Sequence, residues 1–197
     1  ALRRRDKDKS SKGALRRRFQ AVKAHEIWHG DAIGPFNVLL ANGQSSAYHI
    51  LSILDDATRY VLIAMIVLSE NIANVVSVFR KAAARYGLCE KWYADRGSPY
   101  DSNIFRKGLG ILGIHRIRTK ARNAPAHGKI EAYHRSLRRW FIKELKHQLV
   151  ADALHLQQLL DATIDQLYHE HRHRERHQAR VLVAVPLGGR KLRRGRG

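Results

Sequence analysis

Residues 47–68 have the sequence AYHILSILDDATRYVLIAMIVL, and this stretch contains the pattern that decides the fold. Two runs rich in Ile, Leu, Val and Tyr, residues 47–54 and 60–68, flank a short polar segment that contains two aspartates. Apolar runs of this length, bounded by turn residues, predict β-strands. A third apolar run, residues 36–40, precedes them across the turn signal Asn42-Gly43, so the simplest prediction is a meander of three strands.

The rest of the chain alternates between helical and strand patterns. Residues 69–86 have apolar side chains at helical spacing, with Ser69 as the expected N-cap and Gly87 as the end of the helix. Beyond it we predict strands at 91–94 and 114–117, a loop at 119–128, and helices at 101–112, 129–149 and 152–168. This order predicts an α/β fold with a mixed five-stranded sheet flanked by helices.

The net charge of +20 is concentrated at the two ends of the chain. Residues 1–18 contain nine Lys or Arg and two acidic residues, and residues 172–197 contain nine and one. Basic segments of this kind usually bind phosphate backbones and release counterions, which favours a nucleic-acid partner. Solvated tails without a dedicated partner, acidic membranes and acidic proteins are the alternatives.

Cysteine content and hydropathy indicate the compartment. The single cysteine, Cys89, excludes a disulfide framework and zinc sites built from paired cysteines. No apolar run is long enough to cross a bilayer, and the basic N-terminus lacks the pattern of a signal peptide. We therefore expect a reducing, cytoplasmic setting and no membrane partner.

Three carboxylates occupy positions suited to metal chemistry. Asp31 is expected to follow a strand that opens with Trp28, Asp95 ends a short strand, and Glu131 follows a loop at the start of a helix. Strand ends of α/β sheets favour ligand sites, and carboxylates are preferred by Mg²⁺ and Mn²⁺. Each residue also has a simpler explanation, because an aspartate often forms a turn and a glutamate often complements a helix dipole.

The spacing and the flanking motifs resemble those of a known family. Sixty-three residues separate Asp31 from Asp95, and 35 separate Asp95 from Glu131. This resembles the D,D-35-E signature of retroviral-type integrases and the related transposases of bacterial insertion sequences. Four segments in the same order look like family motifs: WHGD at 28–31, LDDATRY at 54–60, ADRGS at 94–98 and APAHGKIE at 124–131.

The resemblance covers residues 25–185 and implies a ribonuclease H-like fold with DDE chemistry. It implies that Asp31, Asp95 and Glu131 are catalytic and hold two Mg²⁺ or Mn²⁺ ions for DNA cleavage and strand transfer. It also implies transposon ends and target DNA as partners, a homo-oligomer on DNA, and a place near the bacterial nucleoid. A nuclease without strand transfer, a catalytically inactive DNA-binding relic and a basic RNA-binding protein are the alternatives.

These expectations divide the chain into four parts. Residues 1–24 are predicted to be a basic linker, 25–150 the catalytic core, 151–185 a helical extension of the core, and 186–197 a basic tail. The end sequences are expected to be recognised by a domain upstream of Ala1.

Basic side chains near the predicted site are candidate DNA contacts, because phosphates must approach the metal ions there. Ordinary helix solubility is the alternative for those on the helix after residue 128. The two adjacent aspartates, Asp55 and Asp56, are interpreted as turn residues that pair with Arg59. The candidate DNA-binding residues are Lys129, Arg135, Arg138, Arg139, Arg118, Lys120 and Arg122.

Overall fold

The computed structural model describes residues 21–95, 98–117 and 124–170. Its centre is a five-stranded sheet in the order β3-β2-β1-β4-β5. Neighbouring pairs β1/β2 and β2/β3 are antiparallel, whereas β1/β4 and β4/β5 are parallel, so the predicted mixed sheet is confirmed. The strands are β1 Ile27–Leu39, β2 Ser45–Asp55, β3 Val61–Val67, β4 Lys91–Tyr93 and β5 His115–Arg116.

Four α-helices and four shorter helical turns surround the sheet in the described part of the chain. The α-helices are α1 Ile72–Tyr86, α2 Asn103–Ile111, α3 Ala124–Leu137 and α4 Ala153–Ala162. Pro99–Asp101 and Glu144–His147 are 3₁₀ turns, and Arg138–Ile142 and Thr163–His169 are π-helical turns. None of the described helices has the length and apolar character needed to cross a membrane.

Two helix starts differ from the sequence-based expectation. Helix α1 begins at Ile72, because the Asn71 side chain accepts a hydrogen bond from the Asn74 amide at 2.9 Å; the prediction of Ser69 as the N-cap was wrong. Helix α3 begins at Ala124, so the last residues of the predicted 119–128 loop are helical. Pro125 is compatible with this, because the first helical turn does not need its missing amide hydrogen.

The predicted single helix over 129–149 is wrong. Helix α3 ends at Leu137, the π-helical turn follows directly, and the 3₁₀ turn then completes the segment. Phe141 and Leu145 are nevertheless buried, 2% and 9% exposed. The changes of helical pitch thus keep apolar side chains on the core along a segment that a regular helix would rotate away.

The sheet is covered on both faces by separate apolar cores. Residues of α3, its π-helical turn and α4 pack against one face, with Tyr133, Leu137, Leu156 and Leu160 fully buried. Residues of α1 and α2 pack against the other face, around Trp28 and Trp92. This burial holds β1 in the centre of the sheet, where Asp31 is located.

Candidate active site

Asp31 lies on the central strand, β1, opposite Ser52 of β2. Its side chain is 26% exposed. Oδ1 accepts a hydrogen bond from the Ala32 amide at 2.9 Å. The carboxylate is therefore attached to a rigid element and still reaches the surface.

Asp95 lies two residues after the end of β4, and the sheet register relates it to Asp31. Strands β1 and β4 are parallel, with Trp28 opposite Trp92 and His29 opposite Tyr93. Continuing this register by two residues sets Asp31 beside Asp95. The Asp95 carbonyl also accepts a hydrogen bond from Ser98 Oγ at 3.0 Å. The extended register thus brings Asp31 and Asp95 together at the point where β4 ends, whereas β1 continues to Leu39.

Gly30 precedes Asp31 on β1. Because glycine has no Cβ, the strand can lie close to the side chains of Trp92 and Tyr100 at this position. An ideal Cβ on Gly30 would lie 2.7 Å from both Cη2 of Trp92 and Cδ1 of Tyr100. Both rings are fully buried. The glycine in the WHGD motif therefore has a packing role next to the candidate ligand.

Helix α3, which contains Glu131, packs against β1. Glu131 is exposed, and one turn later the buried His134 places Nδ1 3.7 Å from Asp31 Oδ2. Burial, and secondarily the charge of Arg138, lowers the pKa of His134 to about 4, so its ring is neutral near pH 7. His134 was not among the predicted site residues, although its position three residues after Glu131 on a helix places it on a neighbouring part of the same face.

The carboxylate donors suit a hard divalent cation, but they are not gathered into a ligand set. Across residues 21–95, 98–117 and 124–170, no three His, Cys, Asp or Glu side chains lie close enough to hold a metal ion. Asp31 and Asp95 supply oxygen donors from neighbouring strands, which fits Mg²⁺ or Mn²⁺. The role of these two residues and Glu131 as metal ligands stays a prediction.

The two adjacent aspartates at the end of β2, Asp55 and Asp56, have different partners. Asp55 caps its own turn, accepting hydrogen bonds from the Thr58 amide at 2.9 Å and the Thr58 hydroxyl at 2.8 Å. Asp56 lies 3.5 Å from Arg59, as predicted, but it also binds the distant Lys129 at 2.5 Å. The pairing with Arg59 is therefore found for Asp56, and Asp55 binds Thr58.

The candidate DNA contacts have different environments. Arg135, Arg138 and Arg139 are exposed on α3 and the turn that follows it. The Lys129 side chain is only 11% exposed and is ion-paired, so it has a structural partner that the sequence did not indicate. The remaining candidates, Arg118, Lys120 and Arg122, lie outside the described residues. DNA contact by all of these residues stays a prediction.

No protein-family model and no curated protein matches this chain. Solved structures do show a similar fold. A chain of the simian T-cell lymphotropic virus intasome, determined in complex with the PP2A regulatory subunit B56 gamma, has a TM-score of 0.59 and 21% identity. The match covers 75% of this chain and 51% of the intasome chain, so this chain spans about half the length of that protein.

Two structures of the HTLV-2 integrase catalytic core domain in complex with magnesium are also similar. The trimeric form has a TM-score of 0.56 and 17% identity over 75% of this chain and 90% of the domain. The dimeric form has a TM-score of 0.56 and 16% identity over 74% and 90%. At these identities the likeness concerns the fold, and it confirms that the chain has the ribonuclease H-like α/β architecture of an integrase catalytic core.

Proposed function

We propose that this chain is the catalytic core of a DDE-type DNA transposase or integrase. The observation that supports the proposal is the parallel pairing of β1 with β4 in an integrase-like sheet, because this register, extended by two residues, would bring Asp31 alongside Asp95. Helix α3 packs against β1, with His134 3.7 Å from Asp31 and Glu131 one turn before His134.

Asp31, Asp95 and Glu131 would hold Mg²⁺ or Mn²⁺. A pair of such ions activates the attacking oxygen and stabilises the leaving oxygen in phosphodiester chemistry. The protein contributes rigid placement, since Asp31 belongs to β1 and Asp95 lies two residues after the end of β4. The Asp31 carboxylate, 26% exposed and 3.7 Å from His134, would offer an oxygen ligand to such an ion.

The proposed substrate is DNA, as transposon ends and as target. Arg135, Arg138 and Arg139 are exposed near the end of α3 and would bind phosphates as the strand approaches the carboxylates. The chain would act as a homo-oligomer on DNA, because two element ends have to be joined to one target. The proposal places it in the bacterial cytoplasm near the nucleoid, with residues 25–150 as the core and basic segments at both ends.

A strand-transfer assay on labelled linear DNA tests the proposal. We expect joined products with Mg²⁺ or Mn²⁺ and none with EDTA, and we expect Glu131→Gln to abolish them. Glu144→Gln is the matched control, because Glu144 is an exposed carboxylate farther along the same segment. Metal-dependent cuts without joining would instead support a nuclease. Binding of DNA without any metal-dependent chemistry would contradict the catalytic proposal.

A further inference from the structure

A buried ion pair connects the start of α3 with the turn after β2. Asp56 is fully buried, and Lys129 Nζ donates to its Oδ1 at 2.6 Å and its Oδ2 at 2.5 Å. His29 Nε2 donates to Oδ1 at 2.7 Å, and the Ala21 amide donates to Oδ2 at 2.6 Å. One carboxylate therefore joins the N-terminal segment, β1, the β2–β3 turn and α3.

Asp56 remains ionised in this buried position. Burial alone would raise the pKa of Asp56, but hydrogen bonds from His29 and Lys129 outweigh it and hold the pKa well below its ordinary value. Removing one member of a buried charge pair leaves the other uncompensated. The Lys129–Asp56 contact is therefore a strong restraint on the start of α3.

The helical geometry shows which motion this contact restrains. Successive residues of an α-helix are rotated by about 100°, so Lys129 and Tyr133 lie within about 40° of each other. Tyr133 is also attached to β2, because its hydroxyl lies 2.9 Å from Ser52 Oγ. These two side chains attach one flank of α3 to β2 and to the turn that follows it.

Glu131 lies on the other flank. On the same wheel it is about 160° from Tyr133 and about 60° from His134, the residue that contacts Asp31. Rotation of α3 about its axis would therefore carry Glu131 toward or away from Asp31. Because Lys129 is two residues before Glu131, its ion pair restrains this rotation close to the glutamate.

We propose that Lys129 and Asp56 are positioning residues that set the rotation of α3, and thereby the distance of Glu131 from Asp31 and Asp95. This inference rests on the proposed function, since it assigns Glu131 to the metal site. It also gives Lys129 a role other than direct phosphate binding. Neither residue touches the reacting atoms in this arrangement.

The test measures Mn²⁺ binding to the DNA-free chain of residues 1–197 by electron paramagnetic resonance, together with metal-dependent cleavage. We expect Lys129→Gln to weaken Mn²⁺ affinity by roughly 10–100-fold, the usual effect of losing a residue that orients a ligand. High Mn²⁺ concentrations should recover part of the activity, and Lys129→Arg should recover most of the affinity because it keeps the ion pair. Lys107→Gln, an exposed lysine on α2, is the matched control and should bind Mn²⁺ as the wild type does.

Asp56→Asn breaks the same ion pair from its other end and replaces Lys129→Gln if that variant does not fold. Thermal unfolding of each variant shows whether the binding data refer to folded protein. A folded Lys129→Gln protein with wild-type Mn²⁺ affinity would overturn the positioning role. Weaker DNA binding with unchanged Mn²⁺ affinity would also overturn it and would identify Lys129 as a phosphate contact. A wild-type protein that neither binds Mn²⁺ nor cuts DNA would instead reject the proposed function itself.

Discussion

Replacing Gly30 by alanine should destabilise the protein, because a methyl group has no space there. The added Cβ would lie 2.7 Å from atoms of Trp92 and Tyr100, whereas carbon atoms pack at about 3.5–4.0 Å. Neither ring can move easily, since Trp92 is fully buried and packs edge-on against Phe79 and Phe105. The strand itself would have to shift by about 1 Å to relieve the overlap.

Overpacking of this kind costs about 1–3 kcal/mol, which corresponds to a melting temperature about 2–12 °C lower for a protein of this size. Thermal and urea unfolding of Gly30→Ala measure the effect. Because Asp31 is the next residue, we also expect lower metal-dependent activity even at temperatures where the variant is folded.

A glycine-to-alanine substitution in helix α2 provides a control that should raise stability instead of lowering it. Gly110 lies inside α2, and a Cβ there would meet nothing within 4 Å. Gly110→Ala should therefore stabilise the protein by roughly 0.5–1 kcal/mol, because alanine loses less entropy in a helix. If Gly30→Ala unfolded at or above the wild-type temperature while Gly110→Ala behaved as expected, the close approach of β1 to Trp92 would be refuted.

Three other perturbations follow from the same contacts. The pKa of Asp56 is lower in the folded protein than its ordinary value of 3.8, so its contribution to stability is present above that pH and is lost as the pH falls further. The unfolding free energy, measured by urea titration, should therefore fall less steeply below about pH 4 in Asp56→Asn than in the wild type. The same pH dependence in both proteins would contradict this. Tyr133→Phe should cost about 1–3 kcal/mol, measured by urea unfolding, because it leaves the buried Ser52 hydroxyl without this partner; a neutral effect would exclude the hydrogen bond. Arg138→Gln should reduce the salt dependence of DNA binding by about one phosphate contact without changing Mn²⁺ affinity, and an unchanged salt slope would remove Arg138 from the DNA surface.

The parts of the fold that depend on local pattern were predictable from the sequence. The apolar runs at 47–54 and 60–68 correspond to β2 Ser45–Asp55 and β3 Val61–Val67, because an apolar run bounded by a polar turn is a local property of the sequence. The position of Asp95 just after a short strand followed from the same kind of evidence. The candidate residues were selected by spacing, and the parallel β1/β4 register, extended by two residues, would bring Asp31 alongside Asp95.

Features that depend on packing between distant segments were not predictable. The sequence around Pro125 has the composition of a loop, yet it begins α3, whose buried face includes Ile130, Tyr133 and Leu137. The π-helical turn after Leu137 was not predicted from the sequence either, although Phe141 in it is buried. Around Pro125, tertiary burial outweighs local propensity.

The adjacent aspartates Asp55 and Asp56 show why this distinction matters for interpreting mutants. In sequence both are turn residues, but Asp55 binds Thr58 in the turn and the backbone amide of His25, whereas Asp56 binds the side chain of Lys129, 73 residues away. An Asp56 variant that lost activity would look like the loss of a metal ligand, although its carboxylate is buried against cations. A positioning residue and a ligand differ in their metal dependence: excess Mn²⁺ can compensate for a displaced Glu131, but it cannot replace a missing carboxylate. Activity measured across metal concentration, and not activity alone, therefore separates the two roles.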